Sequence, residues 1–226
     1  MLTFCVVPDI INAIAALGSE MSWADRDFDL IAAFVIVRGA IVTAITLAMM
    51  WVSTRSRADF GLVRPRWVDV PISIGANLGS WVLYYVFMYA LWAAATAVYF
   101  IGFPEIAVLF QQPESGRLTA PVGVAGMVLL VLMSACNGFA EEIVMRGFLI
   151  PQFRTLFGGN ALAAVTLSAA LFAAYHVYQG VYGLAGAFAG GMIFGLVFVK
   201  TRRLWPLVIA HATWDIVGIL GMSTGQ

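Results

Sequence analysis

Charge is what this 226-residue chain most lacks. Only 11% of its residues are Asp, Glu, Lys or Arg, against about 25% in soluble globular domains. Its 12 basic and 12 acidic residues cancel, and no basic tail or stripe stands out, which argues against a nucleic-acid partner. Cysteine is nearly absent: Cys5 and Cys136 make no disulfide framework. Histidine occurs only twice, at His176 and His211. The HExxH signature of helical zinc proteases is missing, and SACNG and TLSAA do not fit a G-x-S-x-G elbow for serine chemistry. No internal repeat, low-complexity tract or soluble domain interrupts the chain. Its first stretch, MLTFCVVPDIINAIAAL, carries Asp9 and no Lys or Arg, so it lacks the basic n-region of a signal peptide. It reads as mature sequence, a short interfacial or partly inserted helix, with a seventh span as the alternative.

What is present is apolar. Apolar residues make up 62% of the chain and the mean hydropathy is +0.93. A spanning helix needs about 20 such residues, and six stretches qualify: 30–53, 70–101, 122–140, 161–178, 183–199 and 205–222. The expectation is an all-α, polytopic transmembrane helix bundle of six to eight helices. It forms one domain over 1–226, with a motif-bearing catalytic half at 122–222. The second stretch is long, and Pro71, Gly75 and Gly79 offer places to kink or tilt it. The third has no breaker before Gly147, so its helix can run on past residue 140. Nine basic residues fall in three regions: Arg55, Arg57, Arg64 and Arg66; Arg146 and Arg154; Lys200, Arg202 and Arg203. Arg26 and Arg117 fall on the other side. The bias puts the 54–69, 141–160 and 200–204 regions in the cytoplasm.

Ionisable groups inside an apolar span cost about 2.5–3.5 kcal/mol each on insertion scales, and persist where they pair, line a cavity or do chemistry. In the C-terminal half they are Glu141, Glu142, Arg146, His176, His211 and Asp215. Arg146 follows Glu142 by four residues, which places the two face to face on a helix. Glu141 is turned about 100° away and has no evident local partner. Phe172 and His176 are four apart, and so are His211 and Asp215. Three helices thus each present a polar face, and lipid would tolerate none of them. The faces are expected to converge on one water-accessible cavity. Such a set suits hydrolysis: a carboxylate takes a proton from water, an imidazole orients that water, and a second imidazole stabilises an oxyanion. The same groups could instead hold zinc or another divalent metal, through Glu141, His176 and His211.

In order and spacing, EEIVMR, FAAYH and HATWD resemble the EExxxR, FxxxH and HxxxD/N motifs of the CPBP family of intramembrane endopeptidases. That family includes the type II CAAX prenyl endopeptidases and the Abi-like proteins of bacteriocin processing and self-immunity. FGLVRPRW is similar to a glycine–leucine–arginine stretch that many members carry. The resemblance implies a glutamate-dependent protease acting on a membrane-associated or lipidated protein or peptide. It implies Glu141 as the residue that activates water, His176 as its companion, and His211 with Asp215 at the oxyanion. Glu142, Arg146 and Phe172 are implied as supporting residues. Asparagine is expected at the last motif position in prenyl-processing members; here it is Asp215. An ionised aspartate cannot donate a hydrogen bond, so Asp215 is either protonated or orients His211. No cofactor is expected to be essential. The expected partners are membrane lipids and a membrane-bound substrate, and the expected location is a bacterial inner membrane with the site toward the cytoplasm.

Plainer readings stand beside these. Glu142 and Arg146 form a structural ion pair, the histidines are interhelical hydrogen-bonders, and Phe172 is packing. The aromatics Trp81, Tyr84, Tyr85, Tyr89 and Trp92 are belt or packing residues. Arg38 sits mid-span and calls for a carboxylate from another helix or a route to the interface. Gly183, Gly186, Gly190, Gly191 and Gly195 allow close helix approach, expected to bring the His176 and His211 helices together. The competing functions are an ion- or proton-coupled transporter and a catalytically idle membrane scaffold. A transporter would show an inverted repeat with broken helices, and none is visible.

Overall fold

The computed structural model describes residues 27–103 and 123–224, together with positions 11 and 121. The N-terminal helix expected before residue 19 lies outside the described residues, as do Cys5, Arg26 and Arg117. The described chain is helical throughout: α1 (Phe28–Trp51), α2 (Asp69–Phe100), α3 (Gly123–Glu142), a π-helical segment (Ile143–Leu149), α4 (Ile150–Leu156), α5 (Ala161–Tyr175), a 3-10 turn (Val177–Gln179), α6 (Gly180–Thr201) and α7 (Trp205–Thr224). The helix that starts α3 does run past residue 140, reaching Leu156 through the π segment. Four continuous helices, Phe28–Trp51, Asp69–Phe100, Gly123–Leu156 and Val177–Thr201, are long and apolar enough to cross a membrane. Ala161–Tyr175 and Trp205–Gly221 are apolar but shorter. The protein is a polytopic helical bundle.

The side chains sort as a bilayer solvent requires. Leu30, Phe34, Tyr89 and Trp92 are exposed on the outer faces of α1 and α2. The polar groups Glu141, Glu142, Arg146 and His211 are buried. The main core surrounds the π segment, with Ile143, Ile150, Val165, Phe198 and Leu207 fully enclosed. A second core joins α1 to α3 through Phe28, Ala32, Leu130 and Met133. Trp81 packs on Trp214 with ring centroids 4.7 Å apart, so this aromatic serves the α2–α7 contact.

Helix ends follow local chemistry. Asp27 caps α1 by accepting from the Asp29 N–H, and Asn160 caps α5 by accepting from the Ala163 N–H. The connection between α1 and α2 is tied down at several points. Ser56 donates from both its hydroxyl and its N–H to Asp59, which holds that carboxyl below its ordinary range. Gly61 takes φ 73°. A Cβ there would stand 2.6 Å from Phe198 and 3.1 Å from the Leu204 nitrogen, so the FGLV stretch needs glycine for both conformation and space. Gly61 O accepts from the Leu204 N–H at 3.1 Å, and Val63 O accepts from Trp205 Nε1 at 2.7 Å. Arg203 forks onto Asp69, donating to Oδ2 from Nη2 at 2.8 Å, and Arg55 bonds Thr155. The 52–68 connection therefore touches both the end of α4 and the α6–α7 turn. The three basic regions lie at one end of the bundle, with one correction. Arg146 is buried inside the protein at 1% exposure and is no loop charge, which leaves eight basic residues in those regions.

The glycine face of α6 does something different from what its spacing suggested. A Cβ on Gly191 would stand 2.9 Å from the Ala169 Cα, and one on Gly195 2.7 Å from Val165. These glycines close α6 onto α5. Gly186 meets Tyr84 of α2. The close approach that serves α7 belongs to Gly138 of α3, where a Cβ would stand 3.2 Å from the Ala212 nitrogen and 3.3 Å from the His211 Cβ.

Candidate functional site

The polar residues gather where α3 becomes the π segment, against α7 and the end of α5. A π turn widens the helix and leaves carbonyls out of the usual ladder. Within this segment Met145 O accepts from the Ser168 hydroxyl of α5 at 2.8 Å. Arg146 lies within this segment, and its Nη1 donates to Glu142 Oε1 at 2.7 Å. Its guanidinium also faces the rings of Phe172, at 4.7 Å, and Phe194, at 5.5 Å. Both partners of the ion pair are almost wholly buried.

His211 is the hub. Its Nδ1 lies 2.7 Å from the same Glu142 Oε1. Its Nε2 faces Glu141 Oε2 at 3.4 Å and Asp215 Oδ1 at 3.7 Å. The i, i+4 spacing suggested Asp215 as the holder of the imidazole, but the short contact comes from Glu142 on another helix. Asp215 itself is tied at Oδ2 by the Asn137 amide at 3.0 Å. Glu141 is not partnerless either: the Tyr175 hydroxyl donates to its Oε1 at 3.1 Å. Its Oε2 is buried with no hydrogen bond, a lone pair left for something else to use.

His176 enters differently. The span drawn through residue 178 stops at Tyr175, and His176 is the C-cap of α5. Its Nδ1 lies 2.8 Å from Phe172 O. A carbonyl only accepts, so Nδ1 carries the proton and Nε2 keeps a lone pair. Rings join it to the cluster. Phe172 is 4.5 Å from the His176 ring and 6.0 Å from that of His211. Tyr175, which holds Glu141, is 4.6 Å from His176. Arg38 is accounted for here: its guanidinium lies over the Tyr175 ring at 5.4 Å. Among the described residues no group of three or more His, Cys, Asp or Glu side chains is arranged to hold a metal ion. Two apolar grooves, along α3 at Gly123, Val124 and Met127 and along α5 at Leu162, Thr166 and Ala170, lie away from these residues.

Four residues of this neighbourhood escaped the reading of the sequence: Asn137, Tyr175, Ser168 and Asn77, whose Nδ2 bonds Ala210 O at 3.2 Å beside His211. Two carried a usable signal. Asn137 is one turn before Glu141, and Tyr175 adjoins His176.

Residues 123–217 match the family model of the Rce1-like type II CAAX prenyl endopeptidases. The matched stretch contains all three motifs and every residue of the cluster except Arg38 and Asn77. The Rce1-like match implies a protease, in accord with the resemblance that the motifs carry, and with the apolar helices it supports an integral membrane protein. No curated protein and no solved structure matches the chain.

Proposed function

We propose that this protein is an intramembrane endopeptidase that hydrolyses a peptide bond of a membrane-associated or lipidated substrate, with Glu141 as general base. One observation carries the reading: a buried Glu141 oxygen without a hydrogen bond stands 3.4 Å from His211 Nε2. Water placed there donates one hydrogen to Glu141 Oε2 and the other to His176 Nε2, whose lone pair is set by the bond to Phe172 O. Glu141 takes the first proton as the water oxygen bonds the carbonyl carbon. The carbonyl oxygen becomes an oxyanion, and His211 Nε2–H donates to it. The C–N bond then breaks, and the proton held by Glu141 passes to the leaving amine. No step passes through a metal.

His211 donates from both nitrogens in this scheme, to Glu142 and to the oxyanion. Such an imidazolium balances the charge. Glu141, Glu142 and Asp215 are three negative charges in one enclosed cluster, and Arg146 alone offsets one of them. A fixed donor in a dry site is worth far more than one in water. In this scheme Asp215, whose Oδ2 accepts from Asn137, orients His211 and leaves the oxyanion to the imidazole. The basic end of the bundle marks the cytoplasmic side in this proposal, and α4 leads from the site toward it.

The test uses purified protein in liposomes and an internally quenched peptide ending in C-a-a-X, with and without S-farnesylation. Cleavage of either by the wild type, lost in Glu141→Gln, supports the reading; the two peptides separate a lipid requirement from peptide hydrolysis itself. Equal cleavage by a folded Glu141→Gln variant overturns it.

A further inference from the structure

One amide in the cluster has no part in this hydrolysis scheme. Asn137 stands on α3 one turn before Glu141, and its Nδ2 donates to Asp215 Oδ2 of α7 at 3.0 Å. The crossing that holds the pair is close, because Gly138 brings the α3 backbone against Ala212 and His211. Asp215 Oδ1 and Glu141 Oε2 flank one nitrogen, His211 Nε2, at 3.7 and 3.4 Å. Two acceptors thus compete for one N–H. A carboxylate bound at neither oxygen can rotate, move closer to His211 and capture its proton as a full ion pair. That would draw Nε2–H away from a substrate carbonyl. An amide donor on the far oxygen opposes the move: it occupies Oδ2 and holds Asp215 on its own side of the imidazole. Asn137 is suited to this because it donates without adding charge beside Glu141, four residues on along the same helix face.

We propose that Asn137 is a positioning residue for the hydrolysis, acting through Asp215 to keep the His211 Nε2–H directed at the reacting carbonyl. The inference rests on the assignment of His211 to the oxyanion.

The test is the kcat and KM of Asn137→Ala on the quenched peptide, alone and combined with Asp215→Asn, alongside Glu141→Gln and thermal unfolding of each. Asn137→Ala is expected to lower kcat about tenfold to a hundredfold, the effect of losing one hydrogen bond to a charged group, with KM and the unfolding midpoint held. In the Asp215→Asn background, where no charge is left to restrain, the same substitution is expected to lower kcat less than about threefold, since residues acting through one another are not additive. Wild-type kcat in Asn137→Ala overturns the inference. So does a loss confined to KM, a loss that merely tracks a lower unfolding midpoint, or an equal loss in both backgrounds. If Glu141→Gln is inactive while Asn137→Ala keeps its kcat, this inference fails alone. If Glu141→Gln turns over normally, the hydrolysis reading fails and takes the inference with it.

Discussion

Replacing Arg146 with alanine tests the electrostatics of the cluster most sharply. Glu142 Oε1 receives two donors at 2.7 Å, Arg146 Nη1 and His211 Nδ1, and the Glu142 side chain has no exposure at all. Deleting the guanidinium strands a carboxylate in an apolar enclosure. Breaking a buried pair from one side costs about 3–5 kcal/mol. At about 2–4 °C per kcal/mol for a chain of 150–250 residues, the unfolding midpoint falls by roughly 6–20 °C. The assay is thermal unfolding in detergent, followed by intrinsic tryptophan fluorescence. A second variant, Glu142→Met with Arg146→Met, removes both charges and fills the volume. Such replacements are often neutral or stabilising, so the midpoint recovers, yet cleavage stays lost because His211 Nδ1 has no carboxylate to hold it. A wild-type midpoint for Arg146→Ala would refute the stranded-charge reasoning. A double variant no more stable than the single one would do the same.

Tyr175→Phe removes the donor to Glu141 Oε1 while keeping the ring under Arg38 and beside His176; kcat on the quenched peptide is expected to fall about tenfold to a hundredfold, with unfolding unchanged. Gly138→Ala pushes a methyl into Ala212 and His211, at 3.2 and 3.3 Å. Overpacking of this kind costs about 1–3 kcal/mol, so both midpoint and cleavage drop, and wild-type values for both would show that the α3–α7 approach is not tight. Gly61→Ala imposes φ 73° on a residue with a Cβ and drives it into Phe198. The loss in thermal stability is expected to exceed about 1 kcal/mol, with cleavage by the surviving folded fraction intact.

The parts of the site that one helix determines by itself were legible in the sequence. Glu142 and Arg146 are four apart and do pair; His211 and Asp215 are four apart and do share a face. The spans were legible because a bilayer imposes length and apolarity on each helix separately. Cross-helix partners were not. That Glu142 takes His211 as well as Arg146 depends on the phase of α7 against α3, and Gly138 and the Trp205–Val63 clamp set that phase. The π segment after Glu142 leaves no trace in a 3.6-residue pattern. His176 lies in an apolar run that shows no break, yet α5 stops before it because its imidazole bonds the Phe172 carbonyl. The α6 glycines advertised close packing without naming the partner, which is α5. Asn137 and Tyr175 are uncharged, so the cost of burying charge in an apolar span does not single them out.

The central claim is that Glu141 activates the water that cleaves the peptide. Its most direct measurement is hydrolysis of the quenched peptide in water enriched in oxygen-18 by wild type and Glu141→Gln, each checked for folding. The glutamine keeps the shape and the Tyr175 contact but cannot take the proton. Oxygen-18 is expected in the new C-terminal carboxylate with the wild type. Turnover in the variant should fall by about a hundredfold to ten-thousandfold, the usual worth of general-base catalysis, with the unfolding midpoint kept. Wild-type turnover by a folded Glu141→Gln variant would contradict the account.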